Sequence, residues 1–112
     1  MKIAGKDAEG VYATGPKDVS KLPLNVKAHD DYKAKYGKEP GTFFDQAYAA
    51  MLAALNAIKV AGGTDYAALS KALKSSKVDT NIGTIKFDAK GDAEGVGFSV
   101  YQVKGGAFTE VK

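Results

Sequence analysis

Between Thr42 and the Gly62-Gly63 pair the chain carries the run that most restricts its fold. Phe44, Tyr48, Met51, Leu52, Leu55 and Ile58 fall at i, i+4, i+7, i+8, i+11 and i+14, the recurrence of one apolar stripe along an α-helix. Ala47, Ala49, Ala50, Ala53, Ala54 and Ala57 fill the positions between. They raise intrinsic helicity and leave small shoulders on which another element can pack closely. Thr42 is placed to cap the helix, and Gly62-Gly63 ends it. The expectation is a long helix with its large apolar side chains turned inward.

Weaker signals surround it. Glu9–Thr14 reads as a short strand broken by Gly15-Pro16. Val19–Leu24 is ambiguous, although Pro23 suits a helix's first turn. From there Val26, His29, Tyr32 and Tyr36 recur at helical intervals up to Gly37. After the long helix, Thr64 or Asp65 caps a shorter one, Tyr66–Lys74, with Tyr66, Leu69 and Leu73 inward. Ser75–Thr80 reads as a linker, Ile82–Phe87 as a strand and Lys90-Gly91-Asp92 as a turn. Val96–Val111 reads as a hairpin that turns at Gly105-Gly106. Strand, three helices, then strands is not the regular alternation of a self-contained parallel α/β domain. Asp7-Ala8-Glu9-Gly10-Val11 recurs as Asp92-Ala93-Glu94-Gly95-Val96, an echo too short to mark a repeat architecture.

Composition narrows function more than fold. The 112 residues allow at most one domain. All 16 basic residues are lysine, and without arginine the bidentate contacts that favour phosphate and guanine are missing. Nucleic acid is therefore not an expected partner. The chain has no cysteine and a single histidine, His29, which argues against metal sites and paired-histidine catalysis. Asp30 and Asp31 are neighbours that point to different sides of a helix, a solvated face and not an acid/base pair. Asp88–Asp92 lacks the spacing and closing glutamate of a calcium loop. Gly95-Val96-Gly97 lacks the third glycine and following helix of a dinucleotide loop. No serine sits in a nucleophile elbow. These residues point to no enzyme, no catalytic residue, no cofactor and no metal. No apolar run reaches the roughly 18–20 residues of a membrane helix, and Met1–Gly10 has no apolar centre of a signal peptide.

Several segments resemble a known family in order and at sensible spacing. Tyr32-Lys33-Ala34-Lys35-Tyr36-Gly37-Lys38-Glu39-Pro40, then Ala47-Tyr48-Ala49-Ala50, is similar to the YxxxYGxEP and AYxA segments of the leucine/isoleucine/valine-binding proteins of ABC importers. Ile82–Asp92 resembles that family's xGxIxFDxxGD, Val100–Gly106 its closing strand, and Ala4–Val11 its approach to the last strand before a lobe crossing.

The resemblance implies an α/β fold: the carboxy-terminal third of a two-lobed, type I periplasmic-binding-protein architecture that closes on its ligand about a hinge. Three helices and about four strands are expected, with an autonomous α+β module as the alternative. By the same resemblance residues 1–15 and 97–112 supply second-lobe strands, and 16–96 supply first-lobe helices and strand. Gly15, Pro16, Gly95 and Gly97 stand at the crossings. The family's main clamp on the ligand's carboxylate and ammonium lies upstream of this stretch.

A family position near the start of the long helix supplies an aromatic wall of the ligand pocket. Asp45 stands at the matching offset from Tyr48, and Phe44 one place before it. Read from the residues alone, Phe44 is core and Asp45 a first-turn acid favoured by the helix dipole. If Asp45 lines the pocket, a polar or cationic ligand fits better than a purely aliphatic one. Tyr48 reads as core, Tyr32, Tyr36 and Tyr66 as helix-face residues with hydroxyls near water, and His29 as a surface or half-buried face residue.

The resemblance further implies a periplasmic or otherwise extracytoplasmic parent that delivers an amino acid to an ABC permease, with its export signal outside this chain. The alternative is a small self-associating structural or interaction module. On its own, the 112-residue chain is expected to form a homo-oligomer through uncovered helix faces and to bind no amino acid tightly.

Overall fold

The computed structural model describes residues 3–111. Its elements run β1 (Tyr12–Pro16), α1 (Pro23–Tyr36), α2 (Phe44–Ala61), α3 (Tyr66–Ser75), β2 (Val78–Thr80), β3 (Gly83–Phe87), β4 (Ala93–Glu94), β5 (Phe98–Lys104) and β6 (Ala107–Glu110), with a single 3-10 turn at Gly5–Ala8. The chain divides into two compact units. One takes both ends, up to Asp18 and from Gly97 onward; the other is Val19–Val96.

The unit formed by the two ends is an antiparallel sheet in the order β1-β5-β6. Tyr12 pairs with Gln102, Thr14 with Val100 and Pro16 with Phe98, while Val103 pairs with Phe108 across the terminal hairpin. That hairpin turns at Gly105 and Gly106, with φ of 59° and 79°, the two positive values a tight primed turn demands. Glu9 reaches this turn from the other end of the chain, accepting from the Gly105 N–H at 2.9 Å and the Gly106 N–H at 3.3 Å. Val103 is 1% exposed and ties Gly10 and Val11 to the sheet through its carbonyl and N–H.

The strand expected at Glu9–Thr14 therefore begins later, because Glu9 is engaged with the turn. It also runs through Gly15-Pro16 instead of breaking there. β1 is an edge strand, where a proline's missing N–H need not cost a ladder bond.

The Val19–Val96 unit holds the three helices and an antiparallel sheet in the order β2-β3-β4. Pro23 opens α1 in its first turn, and Gly37 closes it in the left-handed conformation. Asp65 caps α3 by accepting from the Ala68 N–H at 2.9 Å. α2 lies against α3 and β2. The expected orientation of α2 is reversed. Ala49, Ala53 and Ala57 are the buried side chains of this helix at 1%, 3% and 1% exposure. Tyr48, Met51, Leu55 and Ile58 are exposed. Close approach to α3 and β2 leaves room for methyl groups and not for large side chains, so the alanine seam faces in.

Three smaller expectations also change. Thr42 does not cap α2; the cap position is Phe43, in a left-handed conformation at φ 71° with no side-chain cap bond. Tyr66 is 84% exposed and not inward. Part of the supposed linker Ser75–Thr80 is strand β2, held to β3 by Val78–Ile85 and Thr80–Gly83 pairing. With β4 added, the described residues contain six strands where about four were expected.

Candidate functional site

The polar side chains of the Val19–Val96 unit that have the most to do with one another gather at the start of α2. Asn25 lies three residues before Ala28 on α1, and these are the two buried residues of that helix. Asn81, in the turn between β2 and β3, is 0% exposed. Its Nδ2 donates to Asn25 Oδ1 at 2.9 Å and to the Asp45 carbonyl at 3.1 Å. Its own Oδ1 is buried without a partner. A buried amide acceptor left unmatched costs about 1–3 kcal/mol, so the two bonds made by Nδ2 hold this side chain against a penalty.

Asp45 is fixed at a second point. One carboxylate oxygen, Oδ1, lies 2.7 Å from His29 Nε2, with the His29 and Asp45 side chains 37% and 27% exposed. The first turn of a helix favours an anion, because the free N–H groups there carry partial positive charge. Phe44 sits edge-on to His29 at 5.2 Å and to Tyr32 at 5.1 Å, and 5.7 Å from Tyr48. Tyr32 in turn meets Tyr36 at 4.6 Å. The result is an aromatic wall beside a half-buried carboxylate. Such a pairing offers apolar contact together with one acceptor for an ammonium, hydroxyl or amide donor.

Phe44 and Asp45 are thus adjacent parts of one cluster, and Phe44 is half-buried as well as packed. Sequence patterns did not place Asn25, Asn81 or the His29–Asp45 contact. Asn81 is 56 residues from Asn25, and no local pattern marks that separation. The one hint was the three-residue step from Asn25 to Ala28, a helix face that included an asparagine.

The surrounding charges are solvated. Lys27 pairs with Asp31 at 2.8 Å, both well exposed, in keeping with the solvated face read for Asp30-Asp31. Lys33 pairs with Glu39, and Lys86 with Glu94 at 2.5 Å. In each of these three the neighbouring carboxylate, by hydrogen bond and charge, holds the lysine above its ordinary pKa. Among the described residues no group of three or more His, Cys, Asp or Glu is placed to hold a metal ion, and no helix is long and apolar enough to cross a membrane.

The four glycine and proline positions read as crossings lie in different settings. Gly15 and Pro16 are paired residues of β1. The Gly97 carbonyl accepts from the Lys17 N–H at 2.9 Å. Gly95 has φ 94°, and a Cβ there would lie 2.3 Å from the Thr84 carbonyl oxygen, so no other residue fits without moving backbone. The chain changes unit at Asp18–Val19 and again at Val96–Gly97. The β1-β5-β6 sheet also carries an open concavity of about 360 Å³ lined by Ala13, Thr14, Gly15, Pro16, Tyr101 and Phe108. The Tyr101 hydroxyl on this lining already donates to the Pro16 carbonyl at 2.6 Å.

Comparison with known proteins gives this arrangement a context. Residues 1–107 match the family model described as periplasmic binding protein. The leucine-, isoleucine-, valine-, threonine- and alanine-binding protein of Pseudomonas aeruginosa is 36% identical over 111 residues, 98% of this chain and 30% of that protein. The crystal structure of a leucine binding protein from Thermotoga maritima superposes with a TM-score of 0.76 at 30% identity, over 99% of this chain and 32% of that one. A periplasmic binding protein from Burkholderia mallei also reaches a TM-score of 0.76, at 19% identity, over 94% of this chain and 30% of that structure; that likeness speaks for the fold alone. The fold is that of type I periplasmic binding proteins, and the chain spans about a third of the length of the proteins it matches. The chain belongs to the periplasmic binding protein family.

Proposed function

We propose that this chain is the carboxy-terminal third of an extracytoplasmic solute-binding protein that captures a branched-chain or related amino acid for uptake through a membrane ABC permease. No bond is made or broken in that role. Affinity comes from closure around the ligand, and specificity from pocket shape and paired polar groups. The observation that carries the reading is similarity to amino-acid-binding proteins along 98% of the chain.

In this reading the β1-β5-β6 unit belongs to one lobe and Val19–Val96 to the other. Gly15-Pro16 and Gly95–Gly97 serve the crossings, and the division at Asp18–Val19 and Val96–Gly97 supports that assignment. Phe44 and Asp45 contribute one wall of the pocket. Asp45 biases the ligand toward side chains with a hydroxyl or a positive charge, since its outer carboxylate oxygen needs a donor when water is excluded. The parent works outside the cytoplasm.

Titration calorimetry of the complete gene product with leucine, valine, threonine and lysine tests this. Saturable binding of at least one of them, weakened at least tenfold by Asp45→Ala for a polar ligand, is the expected result. No heat with any amino acid overturns the transport reading. Unchanged affinities in the variant remove Asp45 from the pocket.

A second reading, a small self-associating module of the same ancestry, is favoured by one specific observation. The outward face of α2 is apolar and uncovered within this chain. As an isolated 112-residue molecule, the chain is expected to self-associate and to bind amino acids weakly.

A further inference from the structure

We propose that His29 is a positioning residue that sets ligand specificity. By holding one oxygen of the Asp45 carboxylate it leaves a single fixed acceptor beside the aromatic wall, a site for a ligand side chain that carries a hydroxyl. This rests on the reading above that Asp45 lines the pocket, and within that reading it favours a hydroxyl over a positive charge.

An ionised carboxylate can only accept hydrogen bonds. The 2.7 Å contact between His29 Nε2 and Asp45 Oδ1 therefore places the imidazole proton on Nε2, and a bond to a charged oxygen at that length is among the stronger ones. Both partners are held by further contacts. Phe44 stands edge-on to the imidazole, with 5.2 Å between ring centroids and 89° between ring planes, and Tyr32 backs Phe44 in turn. The main chain of Asp45 is tied separately, its carbonyl accepting from Asn81 Nδ2 at 3.1 Å. Asn81 is itself fully buried. Side chain and backbone of Asp45 are thus fixed from two different elements, α1 and the β2–β3 turn.

Oδ2 is the acceptor that remains. Among the described residues, His29 is the only hydrogen-bond partner of the Asp45 side chain, which is 27% exposed. One free oxygen suits one donor. A hydroxyl brings a single O–H, whereas a lysine ammonium brings three N–H donors. Beside Phe44 and Tyr32 the other two would lose water and gain nothing, which is costly in a closed site. No second acid stands ready to help, since Asp31 of α1 is already taken by Lys27. An aliphatic ligand fails in the opposite way, because it strips water from Oδ2 and offers no donor. Sites built to bond a hydroxyl reject the analogue lacking it more strongly than apolar pockets reject an extra methylene. Without a donor at His29 the carboxylate is free to turn toward water, and the hydroxyl meets no fixed partner.

Titration calorimetry of the complete gene product with threonine and valine tests this, since the two ligands share a shape and differ in the hydroxyl. The wild-type protein is expected to bind threonine at least about tenfold more tightly than valine, and more tightly than lysine. His29→Leu keeps the bulk without a donor, and is expected to lower the threonine-to-valine affinity ratio at least about tenfold. His29→Gln carries an N–H at a reach comparable to Nε2 and is expected to recover most of that ratio. A wild type that prefers valine or lysine would overturn the single-acceptor site. Equal weakening of both ligands in His29→Leu would assign His29 a structural role and overturn the proposal, as would His29→Gln behaving like His29→Leu.

Asp45→Ala separates this role from the reading beneath it. If that variant collapses the ratio while His29→Leu preserves it, Asp45 lines the pocket and the positioning role alone fails. If Asp45→Ala leaves the ratio intact, the pocket assignment falls and the role of His29 falls with it.

Discussion

On one side of α2, Ala49, Ala53 and Ala57 are 1–3% exposed; on the opposite side, Tyr48, Met51, Leu55 and Ile58 are 38–60% exposed. Both sets recur at helical spacing, and at about 100° per residue they point in nearly opposite directions. The larger and more hydrophobic set is the one outside. Burial of apolar area would rank the faces the other way. What decides is proximity: α2 runs so close to α3 and β2 that only a methyl group fits between. The interior of this unit is therefore built largely of alanines, with Ile85, Thr80 and a buried polar pair, Asn25 and Asn81, while most of the large apolar side chains of α2 are presented outward. A helix with two apolar faces of different size can be covered twice, once within its own unit and once by other polypeptide.

The most damaging way to break this contrast is to enlarge the inward face. Ala53→Leu places three more carbons where the helix packs, and overpacking of a tight core costs about 1–3 kcal/mol. A loss of about 3 kcal/mol in urea unfolding is expected, at the upper end because Ala53 lies mid-helix with buried alanines on either side. A loss below about 1 kcal/mol would mean that α2 and its neighbours separate freely, and that alanine is not what sets their distance.

Next in size is the polar pair. Asn81→Leu keeps the branched outline and the number of heavy atoms and removes the unpartnered acceptor. It also takes the donor away from Asn25 Oδ1 and from the Asp45 carbonyl. A buried acceptor stripped of its donor costs about 1–3 kcal/mol, so a loss of about 2 kcal/mol is expected by the same urea measurement. If the variant were as stable as the wild type, Asn81 would hold neither α1 nor the start of α2. The cluster of Phe44, Asp45 and His29 would then need another support.

These two positions also mark how far local sequence chemistry reaches. Pro23, Gly37, Gly62 and Asp65 bound helices by local chemistry, and a fixed φ, a left-handed stop or a capping carboxylate acts within a few residues of itself. The terminal hairpin was legible for the same reason, since Gly105-Gly106 leaves the chain little choice. The inward face of α2 was not legible. Periodicity finds a stripe but carries no information on how near the neighbouring element comes. β2 was hidden by Lys77 and Asp79, which make a three-residue strand look like linker. Thr42 looked like a cap, yet Phe43 takes that place with a left-handed backbone that side-chain chemistry alone does not announce. At the site, Phe44 and Asp45 were marked by a resemblance of motif, whereas their supports were not. His29 reaches Asp45 across 16 residues and Asn81 across 36, and contacts of that range leave no trace in local spacing.

The smallest expected effect sharpens the comparison most, because it isolates the outward face. Leu55→Ser removes a large apolar side chain that is 55% exposed. At chain concentrations low enough for monomer, its effect on unfolding should lie within about 0.5 kcal/mol, as for surface substitutions that touch no special feature. At high concentration the wild-type midpoint should rise, because association stabilises the folded chain by mass action, and that rise should shrink in Leu55→Ser. The same residue would then be neutral to the fold and decisive for its second covering. A loss above about 1 kcal/mol under dilute conditions, beyond the usual range for a surface position, would show that Leu55 is already packed within its own chain, and the two faces of α2 would no longer differ in kind.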